Sequence, residues 1–268
     1  MKDKNKILII SGNLLKHKHV AIKILKKYKN SNIIFEKYPK IISRNYSKAK
    51  STLITNHFKK VQFYEKKFFQ KFYKKNINFL NKKTLFSVSK GSINNLKVLK
   101  EIKKINPKII ILNATSIIKK NFIKMYKNKL INIHAGIMPY YRGTGCNVWT
   151  FYNQELEYTG VTIHFINKDV DGGNIISQAQ SDFKSYDNTH TIGCKNAILS
   201  TKLVSQVIDY LIKHPKYKGK KIKSKKNKIY YKKDFNKNII QKVEKLIKDG
   251  MVKKYLNYKK KIKLVKLN

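Results

Sequence analysis

The hydrophobic residues of this chain fall into short apolar runs separated by longer segments in which apolar and polar residues alternate with helical spacing. The first run, KILIIS at 6–11, is followed by Gly12-Asn13 and by an amphipathic segment over about 17–29. Short β-branched runs between turn residues predict buried strands, and the 3.6-residue spacing predicts helices. Further strands are predicted near 33–35, 86–88, 108–112 and 130–133, and further helices within 43–75 and near 96–105, 117–127 and 191–213.

This alternation of strands and helices predicts an α/β fold with a doubly wound, mostly parallel sheet. Two β-rich runs, 159–166 and 174–180, predict a hairpin after the last parallel strand. The C-terminal part of the chain is rich in lysine and has one amphipathic stretch near 239–248. We therefore expect a main domain over 1–213 and a short basic C-terminal appendage over 214–268 that holds one helix.

The composition favours a protein of the reducing cytosol. The chain has 268 residues, enough for a sizeable core, and no apolar run approaches the roughly 20 residues that span a bilayer. No N-terminal stretch has the pattern of a secretory signal. Cys146 and Cys194 lie far apart without metal-ligand spacing, so we expect two free thiols, a cytoplasmic location, and no membrane or metal partner.

The formal net charge of +47 suggests a polyanionic partner, because a dense positive field attracts nucleic acid. Only two of the 61 basic residues are arginine, however, and base edges and phosphates favour the arginine fork. We interpret the lysine excess, with its accompanying Asn, Ile and Tyr, as the product of an A/T-rich coding sequence. A polyanion-binding protein without catalytic activity stays an alternative, and the charge in either case favours phosphorylated substrates.

Three polar residues form the most specific candidate site. Asn132 and His134 lie two apart at the end of a predicted strand, so their side chains point to the same side. An amide beside an imidazole suits oxyanion stabilisation in acyl transfer, and Asp171, in DVDGG, would orient the imidazole. No serine or cysteine stands in a nucleophile turn, so direct attack by an amine on an acyl donor is the simpler scheme. Each motif alone is weak, and His164 is interpreted as structural.

Three motifs taken together resemble the folate-dependent formyltransferase family. They are NIHAGIMPYYRG from Asn132, EYTGVTIHFI from Glu157 and DVDGGNIISQ from Asp169, in the family's order and spacing. Weaker similarity extends over about residues 5–200. The resemblance implies a Rossmann-like fold with its catalytic domain over 1–213. It also implies transfer of a formyl group from 10-formyltetrahydrofolate, as co-substrate, to an amine through a tetrahedral intermediate.

The resemblance further implies roles for individual residues. Asn132 would hold the formyl oxygen, His134 would stabilise the oxyanion as an imidazolium, and Asp171 would fix His134 and help to relay protons. The folate would lie between two loops, largely on backbone hydrogen bonds, and the donor-binding residues would be Asn113, Ala114, Thr115, Ser116, Ile117, Ile118, Ile166, Asn167 and Asp169. The residues beside the acceptor would be Ser11, Gly12, Asn13 and Arg142. No metal is implied.

The identity of the amine acceptor is less well determined. Glycinamide ribonucleotide enzymes of the family carry a longer glycine-rich loop after the first strand, whereas here Leu14 follows SGN. Methionyl-tRNA enzymes usually add a barrel-like domain of about 100 residues, whereas 68 residues follow Ser200. The similarity therefore favours an amino-sugar nucleotide or another small phosphorylated amine. Glycinamide ribonucleotide, methionyl-tRNA and hydrolysis of the donor remain alternatives, and a homodimer is left open.

Overall fold

A seven-stranded sheet forms the centre of the structure, a computed structural model that describes residues 6–38, 52–224, 227–258 and 260–267. Its strand order is β3-β2-β1-β4-β5-β7-β8, and a second sheet pairs β6 with β9. The first five strands are parallel, whereas β7 runs antiparallel to both β5 and β8. The predicted α/β sheet is therefore confirmed. The strands are β1 (Ile7–Gly12), β2 (Ser31–Lys37), β3 (Thr84–Ser89), β4 (Ile109–Asn113), β5 (Leu130–His134), β6 (Tyr141–Gly143), β7 (Gly160–Phe165), β8 (Ile175–Gln180) and β9 (Lys228–Tyr230).

The helices cover both faces of this sheet. They are α1 (Leu15–Lys27), α2 (Thr52–Lys83), α3 (Leu96–Ile105), α4 (Lys120–Met125), α5 (Cys146–Tyr152), α6 (Thr189–Lys213), α7 (Lys237–Lys248) and α8 (Met251–Asn257). Residues 52–75 of the predicted helical region 43–75 belong to α2, which continues to Lys83, and residues 43–51 lie outside the described residues. Within the described ranges, no helix has both the length and the apolar character needed to cross a membrane.

Burial on both faces explains the unbroken apolar runs of the central strands. Ile7 and Ile9 belong to a cluster that α1, α2 and α6 cover. Leu8 and Ile10 point the other way, into a cluster with residues of α3 and α4. Successive residues of a strand face opposite sides of the sheet, so a strand that is covered on both faces needs apolar residues at every position. The carboxyl ends of β1 to β5 meet at one edge, which gathers the polar residues that follow them.

The C-terminal segment contains more structure than the sequence predicts. Residues 214–258 hold two helices rather than one, because Gly250, at a φ of +79°, separates α7 from α8. The short strand β9 and helix α5 are also not predicted from the hydrophobic pattern. Ile239 and Val243 of α7 join a third apolar cluster with Trp149 of α5. The C-terminal segment therefore packs directly behind the turn that follows β5.

Two packed histidines make the fold sensitive to mild acid. His57 of α2 and His190 of α6 lie with their ring centroids 4.7 Å apart. Burial lowers the pKa of His57 to about 4 and the pKa of His190 to about 3, against about 6.5 for an exposed histidine. As the pH falls below 6.5 the unfolded chain therefore binds protons first. The contribution of His57 to stability is therefore lost progressively down to about pH 4, and that of His190 down to about pH 3.

We expect proton uptake by His57 in the unfolded chain to lower the free energy of unfolding by about 2 kcal/mol between pH 7 and pH 5. Urea unfolding at the two pH values measures this loss, and His57→Gln should reduce it by a similar amount. His214→Gln changes an exposed histidine and should leave the pH dependence as in the wild type. Equal pH dependence of wild type and His57→Gln would contradict the expectation.

Candidate active site

The candidate site lies where β5 pairs with β7. Asn132 and His134 project from the same side of β5, as residues two apart in a strand must. In the antiparallel register, His164 stands directly opposite Asn132, and Thr162 stands opposite His134. Asn132 Nδ2 lies 3.2 Å from His164 Nε2. The two strands therefore place an amide and two imidazoles in one polar cluster, near the carboxyl end of β5, in an otherwise hydrophobic sheet.

The carboxylate of Asp171 joins the members of this cluster. Its Oδ1 accepts a hydrogen bond from Asn132 Nδ2 at 3.2 Å and lies 3.5 Å from His164 Nε2. Its Oδ2 lies 3.3 Å from His134 Nδ1 and accepts a hydrogen bond from the backbone N–H of Gly143 at 2.8 Å. The structure thus brings together the three residues that the sequence selects, Asn132, His134 and Asp171, although they span 40 positions.

The surroundings of Asp171 favour its charged form. Burial alone would raise the pKa of the carboxyl group, but the charge of His134, the hydrogen bond and charge of His164, and the Gly143 N–H outweigh this effect. The pKa of Asp171 is therefore held well below its ordinary value. A fixed negative charge at neutral pH stabilises positive charge on the adjoining imidazoles.

His134 is held on both sides of its ring. Nδ1 faces Asp171, and Nε2 lies 2.9 Å from the carbonyl oxygen of Tyr141. Both neighbours are hydrogen-bond acceptors, so the doubly protonated ring is the form that satisfies both. Cys146 Sγ lies 3.7 Å from His134 Nε2, but burial and the charge of Asp171 raise the pKa of that thiol far above its ordinary value. The thiol stays protonated at neutral pH, in keeping with a mechanism without a cysteine nucleophile.

His164 also belongs to this polar cluster, although its sequence context predicts a structural role. Its Nδ1 lies 2.8 Å from the carbonyl oxygen of Phe165, so in the neutral ring the proton is on Nδ1 and Nε2 is an acceptor. The same Nε2 faces Asn132 and Asp171. The signal that reveals it is the register of β7 on β5, because only that pairing places position 164 opposite position 132.

Arg142 ties the Asp171 loop to the C-terminal segment. Its guanidinium donates through Nε to the carbonyl oxygen of Val170 at 2.8 Å and through Nη1 to Asn227 Oδ1 at 2.9 Å. Strand β9 pairs with β6, the short strand that contains Arg142, and the N–H of Thr144 donates to the Tyr230 carbonyl at 2.8 Å. The half-buried Arg142 is therefore anchored chiefly to backbone and amide oxygens.

The two predicted donor loops lie beside this cluster. In the first loop Asn113 is buried and donates to Ser11 Oγ, Ile118 enters the apolar cluster that covers β4, and Ile117 is 78% exposed. Residues 114–116 are half-buried. In the second loop Ile166 packs against that same apolar cluster. The first loop therefore presents one exposed apolar side chain, Ile117, next to three half-buried residues.

The second loop is shaped by its own side chains. Asn167 donates to the Gly172 carbonyl at 3.0 Å and accepts from the N–H of Asp169 at 3.0 Å. Asp171 itself has a φ of +42°, a left-handed conformation that costs free energy for a residue with a Cβ. These contacts hold the Asp171 side chain turned toward β5.

The predicted acceptor residues differ in accessibility. Ser11 and Gly12 are buried, and Ser11 Oγ donates to the Gly12 carbonyl at 3.1 Å. Asn13 is half-exposed and accepts a hydrogen bond from the Tyr38 N–H at 3.3 Å. Among these three residues Asn13 offers the most accessible side chain. Among the described residues, no group of three or more His, Cys, Asp or Glu side chains is arranged to hold a metal ion.

Comparison with known families identifies the family to which this chain belongs. The sequence pattern of the family described as formyl transferase matches residues 62–208, more than half of the chain. The chain belongs to the formyl transferase family. The match contains Asn132, His134, His164 and Asp171, so the cluster built by β5 and β7 lies inside the family region.

Similar proteins agree with this assignment. The methionyl-tRNA formyltransferase of Thermodesulfovibrio yellowstonii is 32% identical over 116 residues, which are 43% of this chain and 37% of the relative. The chain therefore spans only about two fifths of the length of that curated relative. The fold resembles phosphoribosylglycinamide formyltransferase from Anaplasma phagocytophilum, with a TM-score of 0.58 at 14% identity over 86% of this chain and 99% of that chain.

A second solved structure is similar over nearly its whole length. It is the formyltransferase PseJ from Anoxybacillus kamchatkensis in complex with UDP-4,6-dideoxy-4-formamido-L-AltNAc and tetrahydrofolate. Its TM-score to this chain is 0.53 at 19% identity, over 88% of this chain and 97% of that chain. At this identity the similarity establishes the shared fold.

The turn that carries the Gly143 N–H gives a direct test of this geometry. A Cβ at Gly143 would lie 2.1 Å from the Tyr230 carbonyl oxygen, and the residue has a φ of +88°. We expect Gly143→Ala to combine the backbone strain of about 1–2 kcal/mol with an overpacking cost of about 1–3 kcal/mol. Urea unfolding measures the sum.

Gly250→Ala is the matched control, because Gly250 has a φ of +79° but no atom within 4 Å of an added Cβ. It should show the backbone strain alone. Equal destabilisation by the two substitutions would contradict the close packing of β9 on the site turn.

Proposed function

We propose that this protein is an N-formyltransferase that moves the formyl group of 10-formyltetrahydrofolate to a primary amine. The observation that carries the proposal is the single Asp171 carboxylate, which contacts both Asn132 and His134 at the edge of the sheet. The two loops beside this cluster contain Ile118 and Ile166, which pack with the apolar cluster under β4, and the half-buried residues 114–116. Two buried free thiols are in keeping with a reducing cytosol as the site of action.

The chemistry that fits these groups is acyl transfer without a covalent enzyme intermediate. The amine nitrogen attacks the formyl carbon, a C–N bond forms, and the carbonyl electrons move onto the oxygen. The bond from the formyl carbon to N10 then breaks as the carbonyl reforms, the amine loses a proton and N10 gains one. His134, whose Nδ1 faces the Asp171 carboxylate and whose Nε2 faces the Tyr141 carbonyl, would stabilise the negative oxygen electrostatically as the doubly protonated ring. Asn132 donates a hydrogen bond to that oxygen.

We assign His164 a part in freeing the Asn132 amide. The amide has two N–H groups, one directed to Asp171 and one beside His164 Nε2. When Nε2 carries a proton it can only donate, and Asp171 Oδ1, 3.5 Å away, is the acceptor next to it. Protonation of His164 therefore leaves one Asn132 N–H for the formyl oxygen. His164 is in this view a positioning residue.

For the acceptor we propose an amino-sugar nucleotide or a similar small phosphorylated amine. The similarity to PseJ, which covers 97% of that protein and whose structure contains a formylated sugar nucleotide, supports this choice. The strongly positive charge of this chain favours a phosphorylated ligand. The half-exposed Asn13 and Arg142 are the side chains that we place beside it.

Methionyl-tRNA is the second candidate acceptor. One observation favours it, namely the identity of 32% over 116 residues to a methionyl-tRNA formyltransferase. The basic surface suits either acceptor. The two candidates differ in size. A short acceptor-stem fragment that carries methionine keeps the amine but lacks the folded RNA. Turnover with this fragment would therefore indicate recognition of the amine, and loss of turnover would indicate recognition of the folded RNA.

We expect Asn132→Ala and His134→Ala each to lower kcat at least about 100-fold, because each removes a group that stabilises the developing oxyanion. Asp171→Asn should have an effect of similar size through loss of the charge that holds His134. Absorbance of the tetrahydrofolate formed measures the rate. Asp182→Asn, which changes an exposed aspartate, is the control and should retain the wild-type rate. A His134→Ala enzyme with wild-type kcat would exclude the proposed mechanism.

The acceptor is tested by offering 10-formyltetrahydrofolate with an amino-sugar nucleotide panel, glycinamide ribonucleotide or methionyl-tRNA in parallel reactions. We expect turnover with an amino-sugar nucleotide and formate release near background without acceptor. Turnover with methionyl-tRNA alone would exclude the sugar assignment. Retained RNA binding at about 0.2 M salt without folate binding would instead indicate a polyanion-binding protein.

A further inference from the structure

A fully buried carboxylate lies at the same sheet edge but outside the cluster described above. Glu36, near the end of β2, has an exposed fraction of 0%. A buried carboxylate is costly unless hydrogen bonds satisfy it. Among the described residues one cation, Lys90 Nζ, approaches it, at 3.5 Å. The shorter contacts are to backbone: Gly91 N–H donates to Oε1 at 2.8 Å and Ser116 N–H donates to Oε2 at 2.6 Å.

These two N–H groups belong to different loops. Gly91 follows β3, which neighbours β2, whereas Ser116 follows β4, which lies on the far side of β1. Glu36 therefore reaches across the end of β1, where its register partner is Gly12. A Cβ at Gly12 would lie 3.0 Å from the Ala114 carbonyl oxygen and 2.9 Å from the Tyr38 ring. The glycine leaves the space through which β2 contacts the loop after β4.

Other side chains from the β2 and β3 side hold the same loop. The Tyr38 hydroxyl donates to the Ala114 carbonyl at 3.1 Å. Asn94 donates to the Ile117 carbonyl at 2.9 Å and accepts from the Lys119 N–H at 2.7 Å. Ala114 has a φ of +56°, which a residue with a Cβ adopts only when its surroundings hold it there.

The path of this loop thus depends on hydrogen bonds to its backbone more than on packing of its own side chains. Ile117 is 78% exposed, and residues 114–116 are only half-buried. Loss of one backbone contact can therefore shift several neighbouring N–H and C=O groups together. A ligand that is recognised through those groups would lose affinity.

We propose that Glu36 is a positioning residue that fixes the backbone of the Asn113–Ile118 loop for binding of the folate donor. This inference rests on the proposed function, in which that loop binds the folate through its backbone. Glu36 touches neither the reacting atoms nor the acceptor side chains in this view. Its loss should therefore affect the apparent affinity for the donor and leave the chemical step largely unchanged.

The first test compares kinetic constants of Glu36→Gln with those of the wild type. Glutamine keeps the shape but has one acceptor oxygen, so it can accept from only one of the two N–H groups without presenting its own amide to the other. We expect the KM for 10-formyltetrahydrofolate and the Kd of tetrahydrofolate to rise about 10-fold or more, since small displacements of binding groups have effects of that order. The kcat at saturating donor and the KM for the acceptor should stay within about twofold.

Glu65→Gln is the matched control. Glu65 is also a buried carboxylate, 5% exposed and paired with Lys16 at 3.2 Å, but it belongs to α2, and within the described ranges it forms no hydrogen bond or ion pair with the donor loop. Its substitution should leave the KM for the donor unchanged. Asn94→Ala, at a half-exposed position, removes two other hydrogen bonds to the backbone at 117 and 119 and should reproduce the rise in KM if Glu36→Gln folds poorly.

Amide hydrogen exchange supplies a readout that does not depend on activity. We expect exchange at Ser116 to accelerate in Glu36→Gln and to stay at the wild-type rate in Glu65→Gln. Faster exchange without a change in donor affinity, or unchanged exchange, would overturn the positioning role. If the wild-type protein binds no folate while Ser116 exchange still responds to Glu36, the proposed function fails and the donor-positioning role fails with it. That outcome is distinct from failure of the loop contact itself.

Discussion

The buried charge of Asp171 is the interaction on which the candidate site depends. An ionised carboxylate with little access to water needs polar partners on both oxygens. Here Asn132 and His134 of β5 and the backbone N–H of Gly143 in β6 supply them, and His164 of β7 lies beside Oδ1. Each of these partners is in turn fixed by the carboxylate. The same carboxylate faces Nδ1 of His134, the ring that we propose stabilises the oxyanion. One residue therefore sets both the geometry and the charge of the cluster.

The segments that support this carboxylate come from distant parts of the chain. Strand β9 places the Tyr230 carbonyl against the turn that carries Gly143, and Asn227 holds Arg142, which in turn binds the Val170 carbonyl. Near the carboxyl end of β2, Glu36 in the same way fixes the loop after β4, by accepting a hydrogen bond from the Ser116 N–H. In both places residues outside the family motifs take part, namely Asn227 and Tyr230 in the first and Glu36 in the second. The Asp171 loop and the loop after β4 are thus each held by a segment that is distant in the sequence.

The sequence predicts those parts of the structure that depend on local pattern. The runs at 6–11 and 108–112 are apolar at nearly every position because both faces of the sheet are covered, and both are strands. Asn132 and His134 are recognisable because a strand alternates its side chains. The three-residue strands β6 and β9 carry no such pattern, since they form only through their tertiary pairing.

The residues that sequence reasoning misses are those defined by long-range register. His164 has the sequence context of an ordinary strand residue, and its position opposite Asn132 appears only when β7 is paired with β5. Glu36 is similar, because its partners are backbone N–H groups 55 and 80 residues away, and no residue type marks them. Buried polar residues whose partners are backbone atoms are therefore the features that a single sequence reveals least.

The most direct test of this account is a crystal structure of the protein with tetrahydrofolate and the formylated form of an accepted amine. The account predicts that the folate lies between the Asn113–Ile118 loop and the Asp171 loop, with the formamide oxygen within hydrogen-bond distance of Asn132 Nδ2 and beside His134. A folate bound elsewhere, or a formamide oxygen remote from both side chains, would contradict the assignment of the Asp171 cluster as the formyl-transfer site.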